Sequence, residues 1–532
     1  MKTRFTILLA ALMGCTMLWA QVHITVDDPE TWSAQVLAPY IGQTVVFDVP
    51  MIVCSNANGN YTVSPWRKFE PLSQGVPGSD DYNETVRINN SCMFSLSQVS
   101  GYHRCGEKIY NLTAKVDKNS TTKLEMISGT WYGNTRADLE AALPDLGDYR
   151  LLVCGFNLEN YYMTWGSMGA DSYADHQKQR AQISKALKKI NADVFGLVEL
   201  QQGNEAIDEI VADLNNNLPS RRYAHFSDPG SGTYQKVDFV YDTKTVTPIN
   251  TPVETQVETQ NRKKMIAFIE NATGERFIYS INHFKAMNSG GADRRTNEAQ
   301  AVVKLYNSYR QNNSVRDNDI LIMGDLNCYA YTDPIEVFMN SGMIDLHRAF
   351  HADSSYSYLF GGLASYIDHA ITNETMLRQI TGMSAYHINS DEDDKYTYDK
   401  SSDNTMFRCS DHDPVLVGLK LDSELSHPLD PYVSSANFNQ DSLNLYYIYK
   451  SSDEDPLMYF DIYTIDGLTI CPPTKTNYNG DILEEHAKYY TLSPNNPNIP
   501  EELKRFLPLP TGIYILHLYY KGIVTSHKLI IK

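Results

Sequence analysis

The chain of 532 residues is about three and a half times as long as a typical 150-residue domain, so roughly three domains are expected. With 42% hydrophobic, 11% aromatic and 20% charged residues, and with no apolar run near eighteen residues, the composition excludes a disordered chain, a fibrous repeat and a polytopic membrane protein. The 64 acidic and 45 basic residues give a formal net charge of -19, which argues against a large basic surface that would bind nucleic acid by charge alone.

The first twenty residues have the layout of a cleaved secretory signal. Two basic residues precede an apolar run at 5–13, and the segment closes with Leu18-Trp19-Ala20. Residues 1–20 are therefore predicted to be a signal peptide, and the protein is predicted to be secreted or held at the cell surface. Cys15 leaves open an alternative lipoprotein cleavage site.

The cysteines of an exported chain can form disulfides, but seven of the eight lie beyond Cys15, and an odd number cannot pair fully. Cys92 and Cys105 lie in one loop-rich stretch, which favours a local disulfide. Cys154 and Cys328 adjoin apolar strand-like runs and are predicted to be free and buried. The spacing of cysteine and histidine residues does not indicate a zinc site.

Residues 21–144 have a β-rich pattern. Short runs of β-branched and aromatic residues occur at 44–53, 61–63 and 123–127, and turn-forming residues cluster between them. The pattern predicts a small β-barrel of the oligonucleotide/oligosaccharide-binding kind (OB-like). A β-sandwich spacer without a ligand is the alternative.

Residues 148–422 alternate between strand and helix patterns. Buried strands are predicted at 151–156 and 194–198, and a helix at 175–190 has an apolar stripe of Ile183, Leu187 and Ile190. A strand, helix, strand unit of this kind predicts an α/β domain whose functional residues follow the strand ends.

Residues 436–532 are rich in tyrosine and predict a compact β-sandwich with a hairpin at its end. The segment also resembles the C-terminal sorting domain of type IX secretion substrates, through Gly512 with its aromatic-bearing strand and the basic-apolar strand 528–532. This resemblance implies that an export machinery is a partner of the protein. An ordinary terminal β-domain is the alternative.

Polar side chains that can bind a metal or transfer protons follow the predicted strands of the α/β segment. Each one alone is a common feature of turns or surfaces, but together they supply oxygen ligands for a hard cation and two histidines for acid–base chemistry. That set suits the attack of water on phosphorus, assisted by Mg²⁺. The motifs are Phe156-Asn157-Leu158-Glu159-Asn160, Leu197-Val198-Glu199-Leu200, Asn282-His283-Phe284-Lys285, Gly324-Asp325-Leu326-Asn327, Tyr366-Ile367-Asp368-His369 and Ser410-Asp411-His412-Asp413-Pro414.

With these motifs in this order, the segment resembles the endonuclease/exonuclease/phosphatase superfamily, and within it the secreted extracellular nucleases. The linking residues 330–335 and 387–389 share the resemblance. It implies a four-layer α/β sandwich of two packed mixed sheets flanked by helices.

The resemblance also implies roles for the motif residues. Glu199 would be the principal metal ligand, with Asn157 beside it and Asp411 completing the surroundings of the metal. The metal would be Mg²⁺, with Mn²⁺ or Ca²⁺ as alternatives. His412 would be the general base for the attacking water, held in its tautomer by Asp368.

The remaining roles concern the phosphate group. Asp325 and Asn327 would orient the phosphate and the nucleophile, and His283 would stabilise the transferring phosphoryl group or protonate the leaving oxygen. Lys285 and Arg295 would contact the substrate phosphate, with solvated loop charges as the alternative reading.

One stretch departs from the pancreatic-type relatives, in which a glutamate supports the acid histidine. This sequence has Gln235 and Lys236 in that region. Support for His283 must therefore come from another residue.

The acidic run Asp391-Glu392-Asp393-Asp394 offers ligands for a structural Ca²⁺. A solvated surface loop is the favoured prediction for this run.

These features together predict a secreted, divalent-metal-dependent phosphodiesterase that hydrolyses DNA, and RNA as a further substrate. A phosphomonoesterase or a lipid-headgroup phosphodiesterase of the same superfamily is the first alternative, because fold and catalytic residues are shared. A non-catalytic surface binding protein is the alternative from another functional class.

Overall fold

The computed structural model divides into two compact units, Met1–Ser426 and His427–Lys532. It describes residues 22–25, 34–65, 93–166, 168–228, 234–258, 262–287, 291–315, 317–351, 354–401 and 404–422, and beyond these the backbone of eight strands. The predicted signal peptide, the lipoprotein alternative at Cys15 and Cys92 lie outside the described residues. The Cys92–Cys105 disulfide therefore stays a prediction.

The first part of unit one is a β-barrel, as predicted. Its seven-stranded sheet has the order β1-β2-β6-β3-β4-β5-β7, and the further pairing of β6 with β7 closes five of the strands on themselves. Apolar residues alternate with exposed ones along β6, and the inward-facing set, including Phe47, Val63, Phe94 and Leu112, fills the barrel. The strands are β1 Val22–Ile24, β2 Thr44–Phe47, β3 Met51–Ser55, β4 Tyr61–Ser64, β5 Phe94–Ser97, β6 Lys108–Val116 and β7 Lys123–Tyr132.

The second part of unit one is a mixed α/β domain, which confirms the α/β part of the predicted fold class. Two six-stranded sheets have the orders β10-β11-β9-β8-β21-β20 and β12-β13-β14-β15-β19-β16, and a small sheet pairs β17 with β18. The strands are β8 Leu151–Tyr161, β9 Val194–Gln201, β10 Tyr223–His225, β11 Gln235–Asp242, β12 Val246–Glu254, β13 Lys263–Glu270, β14 Arg276–His283, β15 Ile320–Asp325, β16 Met343–Asp345, β17 Tyr358–Phe360, β18 Leu363–Ser365, β19 Asp368–Asn373, β20 Ile380–Ala385 and β21 Val415–Leu419.

The helices of this part have clear local signals. The predicted helix begins at Tyr173, where the hydroxyl of Ser172 accepts a hydrogen bond from the backbone N–H of Asp175. It ends at Ile190, because the backbone of the next residue, Asn191, adopts the left-handed conformation. The helices are α1 Arg136–Ala141, α2 Tyr173–Ile190, α3 Glu205–Asn217, α4 Ala292–Tyr309, α5 Asp333–Met339, α6 Leu346–His351 and α7 Glu374–Leu377. Among the described residues, the helices are too short or too polar to cross a membrane.

Three large apolar cores hold the described residues of the α/β part together. The first lies between the two large sheets and includes Val153, Phe239, Tyr279 and Met323. The second joins the β8-containing sheet to α2 and α3, and the third joins the β15-containing sheet to α4 and α5. Because apolar burial dominates folding, these cores fix the strand ends that carry the polar motifs.

The two cysteines predicted to be free and buried are so. Cys154 lies in β8 and Cys328 follows β15, and both are free and at most 2% exposed. Burial raises the pKa of the Cys154 thiol and raises that of Cys328 to about 12. Both thiols therefore remain protonated and act as small apolar side chains.

The prediction that the acidic run 391–394 forms a solvated loop is wrong for three of its four residues. Asp391, Glu392 and Asp393 are buried, not solvated, and the donors that face them come largely from the barrel and α1. Glu392 pairs with Arg104, and its other oxygen accepts from Arg136 at 2.6 Å. Buried carboxylates need such partners because desolvation costs several kcal/mol per ion.

Unit two consists of two antiparallel four-stranded sheets with the orders β22-β23-β27-β26 and β25-β24-β28-β29. It ends in a hairpin in which Gly512 pairs with Ile531 and Tyr520 pairs with Ile523. The strands are β22 Tyr432–Asn439, β23 Ser442–Ile448, β24 Met458–Thr464, β25 Thr469–Thr476, β26 Asp481–Glu484, β27 Ala487–Leu492, β28 Gly512–Tyr520 and β29 Ile523–Ile531.

Candidate active site

The strand register brings the polar motifs to one edge of the two large sheets. In the parallel pair β14–β15, His283 stands opposite Asp325, and in the antiparallel pair β15–β19, Asp325 stands opposite Asp368. Asn157 in the other sheet pairs with Val198, next to Glu199. Residues from six separate motifs therefore meet around Asp325.

Asp325 is the centre of this cluster. Its Oδ2 accepts a hydrogen bond from Nδ2 of Asn157 at 3.1 Å and lies 3.8 Å from Nε2 of His283 and 4.0 Å from Nε2 of His412. Its Oδ1 accepts from the backbone N–H of Asn327 at 2.9 Å. Burial raises the pKa of Asp325 to about 7, and the nearby carboxylates of Asp368 and Glu199 add to this effect.

Glu199 is another carboxylate of this cluster, which forms the pocket of Asn157, Glu199, His283, Asp325, Asp368 and His412. Its Oε2 accepts from the backbone N–H of Asn160 at 2.9 Å, and its Oε1 lies 3.5 Å from Nε2 of His283. Burial and the charge of Asp411 raise the pKa of Glu199. Its φ of +64° lies in the left-handed region, a conformation that costs a non-glycine residue about 1–3 kcal/mol and is held only by the surrounding structure.

His412 is oriented by Asp368. Its Nδ1 donates to Oδ2 of Asp368 over 2.7 Å, so the Nε2 side of the ring faces the pocket, 3.8 Å from Oδ1 of Asp411. Burial alone would lower the pKa of His412, but the charges of Asp368, Asp411 and Asp325 raise it well above its ordinary value. The Tyr358 ring packs against the imidazole, with ring centroids 5.1 Å apart.

His283 has a different environment, because its Nδ1 accepts a hydrogen bond from Nη1 of Arg262 at 2.9 Å. Burial, Arg262 and His412 lower the pKa of His283 well below its ordinary value. Nη1 of Arg262 also donates to Oε1 of Gln235 at 2.7 Å. The residue that supports His283 in place of the family glutamate is thus a buried arginine.

Of the remaining predicted residues, Asn327 and Lys285 lie on the loops after β15 and β14, and Arg295 lies in the first turn of α4. Nδ2 of Asn327 donates to the carbonyl of Phe284 at 3.2 Å, which ties two strand-end loops together. Nη1 of Arg295 donates to the carbonyl of Lys285 at 3.1 Å, and the backbone N–H of Lys285 donates to Glu298 at 2.9 Å. These contacts show Arg295 bracing the loop after β14.

Four neighbours of the pocket were missed by the sequence analysis: Glu159, Arg262, Ser357 and Tyr358. Arg262 had one signal, since three consecutive basic residues at the start of an apolar strand require buried partners. Glu159 also lies close to the cluster, and burial with the charge of Asp411 raises its pKa to about 8. The ring and hydroxyl contacts of Tyr358 and Ser357 depend on tertiary packing.

The donor set fits a hard divalent cation. One oxygen each of Glu199 and Asp325 and a nitrogen of His283 lie within 4.8 Å of one another, and Asp325, Asp368 and His412 form a second such group. The raised pKa values of Glu199 and Asp325 reflect buried carboxylates whose charges are incompletely compensated. A cation at this place would supply the missing positive charge.

Residues 155–412 match the model of the endonuclease/exonuclease/phosphatase family, so this part of the chain is a domain of that superfamily of phosphoester hydrolases. No curated protein sequence matches the chain.

Similar solved structures include a Bacteroides thetaiotaomicron mannosyl-6-phosphatase, at 16% identity over 51% of this chain and 100% of that chain, with a TM-score of 0.37. The human nocturnin catalytic domain with bound sulfate has 13% identity over 50% and 93% of the two chains, with a TM-score of 0.36. D. rerio TDP2 in complex with a single-strand DNA product has 13% identity over 51% and 99%, with a TM-score of 0.36.

Proposed function

From an endonuclease/exonuclease/phosphatase domain with this pocket, we propose that the protein is a divalent-metal-dependent phosphodiesterase that hydrolyses DNA, with RNA as a further substrate. The observation that carries the proposal is the convergence of Glu199, His283 and His412 on Asp325. The four-layer arrangement of the family belongs to the same proposal, and the three apolar cores support it.

The residues that would hold the cation are Glu199, Asn157, Asp325 and Asp411, with Mg²⁺ as the preferred ion and Mn²⁺ or Ca²⁺ as alternatives. Their oxygen donors match the preference of these ions. When bound, the cation supplies Lewis-acid polarisation of the phosphoryl group.

The two histidines divide the remaining chemistry. In its neutral form, His412 accepts the proton of the attacking water at Nε2, because its Nδ1 donates to Asp368. Neutral His283 carries a proton on Nε2 and donates a hydrogen bond to an oxygen of the phosphoryl group or of the leaving group. Asn327 holds the loop that frames this pocket, through Phe284.

The choice of DNA rests on the resemblance of the motifs and of the linking residues 330–335 and 387–389 to secreted nucleases. A substrate panel tests it: plasmid DNA, RNA, p-nitrophenyl phosphate and sphingomyelin, each incubated with the full chain in Mg²⁺ or EDTA. Plasmid cleavage that needs Mg²⁺ and is lost in an identically prepared His412→Ala protein is the expected result. An intact plasmid alongside cleavage of another ester would replace the nuclease by a phosphomonoesterase or a lipid-headgroup enzyme, and no cleavage at all would favour a binding protein.

We also propose that the protein is secreted or displayed at the cell surface. The layout of residues 1–20 supports export, and the terminal hairpin of β28 and β29 supports a type IX sorting domain. Deletion of the residues after Leu509 is expected to keep the protein from reaching the cell surface. Undiminished appearance in the medium would contradict the sorting role.

The barrel is proposed to be OB-like, because five of its strands form a closed sheet in which β5 and β7 pair in parallel. Its ligand would then be an oligonucleotide or an oligosaccharide.

A further inference from the structure

We infer that the barrel, together with α1, positions the imidazole of His412 through the buried acidic segment Asp391–Asp393. This inference rests on the proposed role of His412 as general base. It gives the barrel a part in the reaction whether or not the barrel binds a ligand of its own.

On one side, the acidic segment receives its donors from the barrel and α1. Nδ2 of Asn134 donates to Oδ2 of Asp391 at 2.9 Å. The two oxygens of Glu392 accept from Arg104, from the hydroxyl of Tyr102 at 2.6 Å and from Arg136 at 2.6 Å. The backbone also joins in: the N–H of Cys105 donates to the carbonyl of Asp391 at 3.0 Å, and the N–H of Gly59 donates to Oδ2 of Asp393 at 3.3 Å.

These contacts mean that the segment needs the barrel to keep its conformation. Asp391, Glu392 and Asp393 are at most 4% exposed, and a buried carboxylate without donors is strongly destabilising. From within the α/β domain, Tyr356 supplies its hydroxyl, and Lys395 supplies its backbone N–H and its Nζ. The other donors described above come from residues that precede the family segment 155–412.

On its other side, the acidic segment is connected through Tyr356 to the pair of His412 and Asp368. The Tyr356 hydroxyl donates to Oδ2 of Asp391 at 2.8 Å. The next residue, Ser357, donates from its hydroxyl to Oδ2 of Asp368 at 2.7 Å, the same oxygen that accepts from His412. The carbonyl of Ser357 accepts from the backbone N–H of Asp413 at 2.8 Å.

A second route runs along the backbone just before the acidic segment. Nδ2 of Asn389 donates to the carbonyl of His412 at 2.7 Å. The backbone N–H groups of Asn389 and Ser390 donate to Oδ1 of Asp413 at 2.8 and 3.0 Å. The peptide that carries His412 is therefore hydrogen-bonded to residues that lie two and three positions before Glu392. Small displacements of a catalytic group cost large factors in rate, so this fastening acts on turnover.

The test uses the full chain with Glu392→Gln, which weakens the arginine pairs while it keeps the shape of the side chain. Hydrolysis of bis(p-nitrophenyl) phosphate with Mg²⁺ is measured, because this small diester does not need the barrel for binding. We expect kcat to fall about tenfold with KM unchanged within about twofold. Tyr356→Phe, which removes only a hydroxyl, is expected to lower kcat in the same way.

The matched control is Glu270→Gln. Glu270 is also buried and pairs with Arg150 at 2.8 Å. It is the last residue of β13, whereas the pocket lies beside the first residue of that strand, Lys263, which pairs with Asn282. This substitution is expected to lower stability and leave kcat unchanged.

A double substitution shows whether the effect passes through His412. In a His412→Ala background, Glu392→Gln is expected to leave the residual rate unchanged, because residues that act as a unit are non-additive. A further tenfold loss there, or full activity of both Glu392→Gln and Tyr356→Phe, would overturn the inference alone. Wild-type turnover of His412→Ala itself would overturn the proposed function and this inference with it.

Discussion

Arg262 donates to Nδ1 of His283 over 2.9 Å, and this contact fixes the tautomer of the ring. A guanidinium has no acceptor, so Nδ1 must accept and the proton of neutral His283 must sit on Nε2, facing Glu199. His412 is arranged in the opposite way, since its Nδ1 donates to Asp368. The pKa values of the two histidines are therefore shifted in opposite directions: His283 is held neutral as a hydrogen-bond donor, and His412 holds a proton more readily.

This arrangement predicts the titration of His283. In the wild type, burial and Arg262 hold its pKa well below the ordinary value, so its imidazole nitrogen resonances should not titrate between about pH 6 and 8. Arg262→Gln removes a positive charge but leaves the ring buried, so the pKa should rise and the resonances should titrate at a higher pH than in the wild type. Side-chain ¹⁵N NMR in EDTA measures both proteins. Identical titration curves would show that Arg262 does not set the state of the ring.

The His412–Asp368 pair predicts large effects on turnover. His412→Ala should lower kcat by about 10²-fold or more, and Asp368→Asn by a similar or smaller factor, because both remove the oriented base. His225→Ala is the matched control, because its Nε2 also pairs with a carboxylate, Oδ1 of Asp208, at 2.8 Å, but on strand β10 at a sheet edge. The control should keep full activity. The values of kcat are compared by steady-state kinetics with Mg²⁺ and a diester that the wild type cleaves.

Asp325 predicts how the stability of the ion-free protein depends on pH. Its pKa is raised to about 7, above the ordinary value of about 3.9, so between these values the folded protein binds a proton that the unfolded chain has released. The contribution of Asp325 to stability is therefore present in acid and is lost as the pH rises to about 7. Asp325→Asn should remove this part of the pH dependence.

The same residue links stability to metal. Calorimetric melting of wild type and Asp325→Asn between pH 5 and 8 in EDTA isolates the effect of pH, and added Mg²⁺ at pH 8 should raise the Tm of the wild type more than that of the variant. Equal Mg²⁺ shifts in both proteins would exclude Asp325 from the cation site.

The backbone conformation at position 324 predicts that only glycine fits there without strain. Its φ is +124°, and a Cβ there would lie 2.1 Å from the carbonyl oxygen of Asn282 on the neighbouring strand. Gly324→Ala should lower the free energy of unfolding by about 3 kcal/mol or more, because backbone rather than a flexible side chain must move. Gly274→Ala is the control: its φ is +83° but the space around it is open, so about 1 kcal/mol is expected. Urea titration of the two variants compares them.

The sequence predicted the strands and most of the pocket because the signals there are local. Apolar runs that end in Glu199, His283 or Asp325 show a buried strand and its functional end within a few residues. The state of His283 was beyond such signals, because Arg262 reaches it only when β13 pairs with β14. Register between strands is a property of the folded sheet.

The acidic run shows the same limit from the other direction. Four adjacent acidic residues predict a solvated loop wherever no counter-charge is near in sequence. Here the partners Arg104 and Arg136 stand 288 and 256 positions away from Glu392. Only the docking of the barrel brings these charges together.

The hydroxyl of Ser410 donates to the carbonyl of Asn157 at 2.7 Å across 253 residues of chain, and β21 pairs with β8 in the middle of its sheet. The first and the last strand of the α/β domain are thus neighbours, a topology of high contact order that folds slowly. A nascent or truncated chain has every catalytic residue up to Asp368 and still lacks its base. Hydrolytic activity should consequently appear only after synthesis has passed β21.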